Sequence, residues 1–440
     1  MKKLYLISVS ALALSASAAF AQSLPAKTGT NVSAGNESYI DQVGSGNYIG
    51  TATATGVDQQ AKDSTSGNYS EIYQGYGSTS STGGQATVQQ TASAGPKNSA
   101  RTVQYGSNQV ASTTQNNSGV TGNVNAYTSV IEQSNAANAA TVSQVQTGGS
   151  ALSTVVQTGS NNNSVFGRTV NGTYVVGGVN VDQSGTLASN ESHVTQDGNT
   201  SGVSVTQTSS ILDGISDGQK VYAPSSNTST VNQSAGVSNF ALIYQNASLA
   251  GGSAGSNTST VTQSGSNGAV SVYQTGINNN ESIIGQTGSG SSVTVTQGTI
   301  PATWGASPLN YSNVEQGGNG SATTVIQNSI ASRDYSTVVQ NSNSSTISVT
   351  QTGYCCLYNS QTSYVTQYSG TNNTATVYQT ADPWKQQNPY TGSPSNYSDL
   401  TQAGDYNDGN VWQGQTPYGV ANTSNLTQVG NHNTAYVKQH

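Results

Sequence analysis

Asn422-x-Ser424-x-Leu426-x-Gln428-x-Gly430-x-x-Asn433-x-Ala435-x-Val437-x-Gln439 consists of two alternating runs of seven residues joined through a glycine-containing turn. Alternation with period two places every second side chain on one face, so each run reads as a strand with one buried side. Asn422, Ser424, Leu426 and Gln428 then point one way, and Asn433, Ala435, Val437 and Gln439 point back at them. Two strands and a turn make one layer, and neither strand has a backbone partner inside it. A second layer must supply the hydrogen bonds.

The same frame returns upstream. Asn396-x-Ser398-x-Leu400-x-Gln402 leads to Gln413, and Asn257-x-Ser259-x-Val261-x-Gln263 leads to Gln274. Asn280-x-Ser282-x-Ile284-x-Gln286 leads to Gln297, and Asn190-x-Ser192-x-Val194-x-Gln196 to Gln207. Tyr127 to Gln144, Asn310 to Gln327 and Asp334 to Gln351 keep both glutamines and their spacing. Asn227 to Gln245 and Gln361 to Gln379 carry one extra turn residue, and Ser153 to Gln157 opens a unit whose closing glutamine is read as Gln183. Asn36 to Gln42, Asn68 to Gln74 and Asn98 to Gln104 have clear first strands, with second strands read as displaced by insertions or a deletion. Anchoring on the first-strand glutamine gives Gln42, Gln74, Gln104, Gln133, Gln157, Gln196, Gln233, Gln263, Gln286, Gln316, Gln340, Gln367, Gln402 and Gln428, fourteen units. Repeats of this kind predict an all-β fold, a β-solenoid of stacked strand-turn-strand layers. At the cross-β spacing, fourteen layers span about 67 Å.

An inward-facing amide without a partner costs on the order of 1–3 kcal/mol. Returned at the same place in each layer, it can bond to its copy one layer away, so the column satisfies itself and fixes the register. The candidate functional residues are therefore those fourteen glutamines together with Gln144, Gln207, Gln274, Gln297, Gln327, Gln351, Gln413 and Gln439 on the second strands. Glycine two places after the first glutamine, as at Gly44, Gly198, Gly265, Gly288 and Gly430, reads as the residue that permits the sharp reversal.

The pattern resembles the curlin repeat, in which Ser and Gln bracket the first strand and Asn, Ala and Gln mark the second. The leading position is usually Asn here, and the spacing is less regular. The resemblance covers nearly the whole mature chain. It implies an amyloid-like, cross-β fibre at the cell surface, export through a curli-type outer-membrane channel, assembly started by a nucleator, and roles in adhesion and biofilm.

The N-terminus and composition are read separately. Lys2 and Lys3 precede an uncharged apolar stretch from Leu4 to Ala19, and Ala19-Phe20-Ala21 has the small residues of a signal peptidase site. Residues 1–21 read as a signal peptide cleaved between Ala21 and Gln22, residues 22–35 as an export or linker segment, and 36–440 as the repeat region. The protein is thus expected to be secreted to the cell surface. Without Lys2 and Lys3, nine basic residues face eighteen acidic ones, a net charge of −9. Charge this sparse makes no nucleic-acid surface. Three histidines, two cysteines and no G-x-S-x-G, HExxH, P-loop or calcium-type motif leave little for catalysis, a metal, a cofactor or a small-molecule substrate.

Several residues invite a second reading. Asn68, Asn257 and Asn396 begin Asn-x-Ser/Thr triplets, yet a glycan on the inward face would block stacking. Cys355 and Cys356 suit either an intermolecular bridge or a pair of inert loop thiols. Tyr69, Tyr311 and Tyr397, which follow the leading position, and Tyr73, Tyr273 and Tyr378, which precede a glutamine, read as outward. They are either an adhesive surface or residues chosen for strand propensity. Asp41, Glu132 and Glu315 read as outward charges that limit off-register pairing. Excursions at Val165–Val179, Ser209–Ser226 and Thr380–Ser395, with Pro224, Pro383, Pro389 and Pro394, read as extruded loops. The last unit ends at Gln439 without a visible cap, which predicts head-to-tail self-association. A monomeric surface adhesin and an accessory or nucleating minor subunit are the alternatives.

Overall fold

The computed structural model describes residues 35–439 except 52–53, 63–65, 76–79, 94–96, 119–125, 164–166, 211–213, 217–218, 222–225, 235, 249–254, 277–278, 299–308, 330–332, 354–359, 381–394 and 415–420. The Ala21–Gln22 junction, all of 22–35 but Gly35, the Cys355–Cys356 pair and the four prolines of the excursions lie outside the described residues.

The described residues are all-β, without a helix. First strands stack parallel and in register from Gly35–Gln42 through Gly67–Gln74, Lys97–Gln104 and Ala126–Gln133 onward to Thr423–Val429. Second strands form a parallel stack of their own, including Gln85–Ser93, Val110–Ser118, Ala269–Gly276, Ser292–Gly298 and Thr434–Gln439. Ala139–Gln157 and Gly178–Gln196 each run as one long strand that holds the second strand of one layer and the first strand of the next. The register brings like over like: Asn227, Ser229, Val231 and Gln233 lie on Asn257, Ser259, Val261 and Gln263.

The two stacks face each other across a buried core. Ile131, Val155, Val194, Val231, Val261, Ile284, Val314, Val338, Val365 and Leu400 come from the first strands, and Val142, Val181, Val205, Ile243, Val272, Val295, Val325, Val349, Val377 and Val411 from the second. β-Branched residues fit here because period-two packing against copies above and below suits their restricted rotamers.

Of the glycines two places after the first glutamine, Gly44 and Gly430 have the positive φ expected of them, whereas Gly198, Gly265 and Gly288 do not. The left-handed residue stands four after the first-strand glutamine in layer after layer: Asn108, Ala137, Asn161, Thr200, Asn267, Gly290, Gly320, Ser344, Tyr406 and His432. Gly265 and Gly288 are not in that region. They are glycine because a Cβ would collide with the carbonyl of the layer above, that of Gly288 over Gly265 and that of Gly318 over Gly288. Stacking distance, rather than backbone freedom, selects glycine at these two sites.

The excursion after Gln157 is also more ordered than a loop. Gly167–Val170 and Thr173–Val176 pair antiparallel. Val170 and Val175 are buried against Phe240, Leu242 and Ala269 on the outer side of the second stack. The excursion after Ser209 contains a second antiparallel pair, Gly214–Ser216 with Gln219–Val221.

Candidate functional site: two amide ladders and the open end layers

The fourteen first-strand glutamines form one column. Each Nε2 donates to the Oε1 of the next, from Gln42 to Gln428, at 2.5–3.2 Å. The second column runs through Gln59, Gln90, Gln115, Gln144, Gln183, Gln207, Gln245, Gln274, Gln297, Gln327, Gln351, Gln379, Gln413 and Gln439, at 2.7–2.9 Å and with the same donor direction. Neither column is interrupted.

The second amide hydrogen has its own task. From Gln90 to Gln439, each second-column Nε2 also donates across the core to a first-strand carbonyl of its own layer, at 2.7–3.1 Å. The acceptor is always the residue after the leading position, such as Tyr69, Thr258, Glu281 or Tyr397. Most first-column amides donate likewise to the second strand of the preceding layer, as Gln104 does to Gln85 and Gln133 to Val110. Gln is the side chain with this reach and two hydrogens. One hydrogen joins layers and the other joins sheets.

Gln59, Gln90 and Gln115 are absent from the sequence reading, although their signal is present. Ala86-x-Val88-x-Gln90 and Ala111-x-Thr113-x-Gln115 repeat the frame of Ala435-x-Val437-x-Gln439. Corner length hides the first two, since Gln42 to Gln59 and Gln74 to Gln90 exceed the eleven-residue step of Gln428 to Gln439. The extra corner residues hold Gly44–Ser45 and Ser81–Thr82, which pair parallel. Gln104 to Gln115 is itself an eleven-residue step, so that second strand is not displaced.

A third column donates the opposite way. Asn98 donates to Asn68 and Asn68 to Asn36; Asn310 to Asn280, Asn280 to Asn257, Asn257 to Asn227 and Asn227 to Asn190; and Asn422 to Asn396. Tyr127, Ala151, Asp334 and Gln361 occupy the intervening positions. Asn68, Asn257 and Asn396 are buried in this column, out of reach of a glycosylating enzyme. At the corners, side-chain oxygens of Asn162, Ser201, Asn239, Asn373 and Asn407 accept the backbone N–H of the next layer.

On the outer faces the tyrosines divide. Tyr311, Tyr397 and Tyr273 are half-buried and Tyr378 is exposed, whereas Tyr69 and Tyr73 are buried, contrary to the sequence reading. Tyr73 packs with Val103 and Tyr105, and the Arg101 guanidinium lies over its ring at 5.7 Å. The Tyr69 hydroxyl donates to Glu71, which pairs with Arg101 at 3.5 Å. An ion pair makes burial of Glu71 tolerable. Glu315 is exposed, whereas Asp41 and Glu132 are half-buried. Desolvation raises the Glu132 carboxyl, and Arg101 lowers it less. Burial pushes the Tyr127 phenol well above its ordinary value.

No family model matches the chain, and no curated protein matches it. Among the described residues, no three His, Cys, Asp or Glu side chains gather where a metal could sit, and no helix is long and apolar enough to cross a membrane.

The columns end in open layers. Ile40, an inward residue of the first layer, is 45 % exposed, whereas Val261 at the same place mid-stack is 0 % exposed. Leu426 and Val437 of the last layer are half-buried against the core below. Among the described residues nothing pairs with the outer edge of Gly35–Gln42, Thr423–Val429 or Thr434–Gln439.

Proposed function

We propose that this protein is a secreted, curlin-type structural subunit that adds head to tail into an extracellular, amyloid-like fibre of an adhesive or biofilm matrix. The observation that carries the reading is the polarity of the three amide columns where they meet the open layers. At one end Gln439 offers an amide hydrogen and Gln428 an amide shared, like that of Gln316, between carbonyls of its own and the preceding layer, and Gln42 and Gln59 offer carbonyl oxygens at the other. The asparagine column runs in reverse, with an acceptor at Asn422 and a donor at Asn36. A second copy placed head to tail continues all three columns and both backbone ladders. Head-to-head contact sets like groups against each other. The exposed apolar residues of the end layers add burial on assembly. Export through a curli-type channel, with residues 22–35 as the segment it reads, and assembly started by a nucleator are what the curlin resemblance implies.

Electron microscopy and thioflavin fluorescence of the purified chain from Gln22, with and without preformed seeds, test this. Fibres with a meridional reflection near the strand spacing of about 4.7 Å are expected, with shortened lag on seeding. A sample that stays monomeric through prolonged seeded incubation would overturn it and leave the monomeric adhesin.

A further inference from the structure

Four tyrosine rings form a path over the outer face of the first stack. Tyr311 and Tyr335 lie one layer apart at the same register position. Their rings are stacked, with centroids 4.7 Å apart and planes within 10°. Tyr364 continues the path at 6.1 Å and Tyr397 at a further 5.8 Å, both tilted. Tyr364 stands two residues along, filling the space over Thr362, which occupies the register position of Tyr335 in its layer.

Only the Tyr311–Tyr335 pair combines parallel faces with access among the described tyrosine pairs. Tyr335 is 38 % exposed. The two rings border a surface cleft of about 260 Å³ with Leu309 and Arg333. Tyr244 and Tyr273 are farther apart, at 6.0 Å, and tilted by 38°. Tyr39 and Tyr73 are tilted by 45°, and Tyr73 is buried. Burial first, then Tyr335 and Glu281, raise the Tyr311 phenol.

We propose that Tyr311 and Tyr335 are a site of oxidative cross-linking that joins adjacent layers covalently. The co-reactant is a haem peroxidase with hydrogen peroxide. Each phenol gives up one electron and one proton. The two phenoxyl radicals couple carbon to carbon at their ortho positions, and the two ring hydrogens move to the phenolic oxygens to restore aromaticity. The peroxide takes the two electrons and two protons and leaves as two waters. Stacking holds the two rings with centroids 4.7 Å apart, and a tilt of the Tyr335 ring on the cleft side brings the ortho positions together to close the bond. The product fastens two layers that otherwise hold together by hydrogen bonds and packing, whether or not the protein assembles.

The test is peptide mapping of the full chain after treatment with peroxidase and hydrogen peroxide. Equal amounts of heavy-isotope-labelled and unlabelled protein are mixed beforehand. The expected main tyrosine–tyrosine product joins Tyr311 to Tyr335 and carries one isotope composition, as a bond within one chain must. Tyr335→Phe and Tyr311→Phe should each abolish that product, whereas Tyr364→Phe should retain it. The proposal is overturned if the product is missing, if it is no more abundant than a Tyr244–Tyr273 product, or if it is isotopically mixed.

Discussion

At the residue scale, two buried polar columns lie side by side and have opposite value. Gln263 sits mid-ladder, accepting from Gln233 and donating to Gln286 and to the Phe240 carbonyl. Gln263→Ala strands a donor and an acceptor and opens a cavity, so it should destabilise by about 3–5 kcal/mol in denaturant unfolding. Ser259, four residues earlier, has a buried hydroxyl without a hydrogen-bond partner, as do Ser229 and Ser282 beside it in the same column. Ala100 already stands in that column between Ser70 and Ser129. Ser259→Ala should therefore range from neutral to about 1 kcal/mol stabilising in the same assay. Equal losses from the two substitutions would refute the distinction. Glu132 gives a pH-dependent case. Its folded-state pKa is raised, so the folded chain favours the protonated form; its contribution is most favourable in acid and is lost as pH rises through that raised value. Glu132→Gln should accordingly raise the melting temperature at neutral pH, with the gain shrinking as the pH is lowered through the carboxylate range. A gain that grows in acid would mean that the Arg101 attraction dominates instead.

At the element scale, the corner separates two uses of glycine that a sequence cannot tell apart. Gly288 and Gly290 are two residues apart in one turn. Gly290 holds the left-handed angle, with open space where a Cβ would point, whereas Gly288 does not hold that angle but lies against the Gly318 carbonyl. Gly290→Ala should cost about 1–2 kcal/mol, the ordinary left-handed penalty. Gly288→Ala should cost more, about 3 kcal/mol, because the obstacle is backbone and cannot rotate away. Thermal unfolding of the two variants checks the order. Period two, the paired glutamines and the inward face were readable because each is a property of one strand. What the next layer does to a strand was not. The reason for Gly265 and Gly288 and the burial of Tyr69 and Tyr73 depend on neighbouring layers, and the second hydrogen of each glutamine depends on the facing sheet. Gln59 and Gln90 lie off the eleven-residue step for a related reason: the fold tolerates longer corners provided the strands return in register.

At the scale of the molecule, the two glutamine columns run through every interior interface, and among the described residues the first and last layers are where that interface is missing. Leu426 and Leu400 occupy the same column one layer apart. Leu400 is 0 % exposed, with layers above and below, whereas Leu426 is only half-buried. A lysine at Leu400 would have no route to water, so Leu400→Lys should unfold the chain or prevent its accumulation. At Leu426 the same side chain can turn its ammonium out through the open face, so Leu426→Lys should fold, with circular dichroism unchanged. Its C-terminal face is then spoiled for stacking by an inward charge, while its N-terminal face remains intact. Such a chain can join the C-terminal end of a growing fibre and admit nothing after itself. Added at a small mole fraction to wild-type protein, it should stop growth at one end and shorten the fibres seen by electron microscopy. Wild-type growth that proceeds undiminished, or incorporation of the variant along the fibre without shortening it, would mean that elongation does not use the Leu426 face.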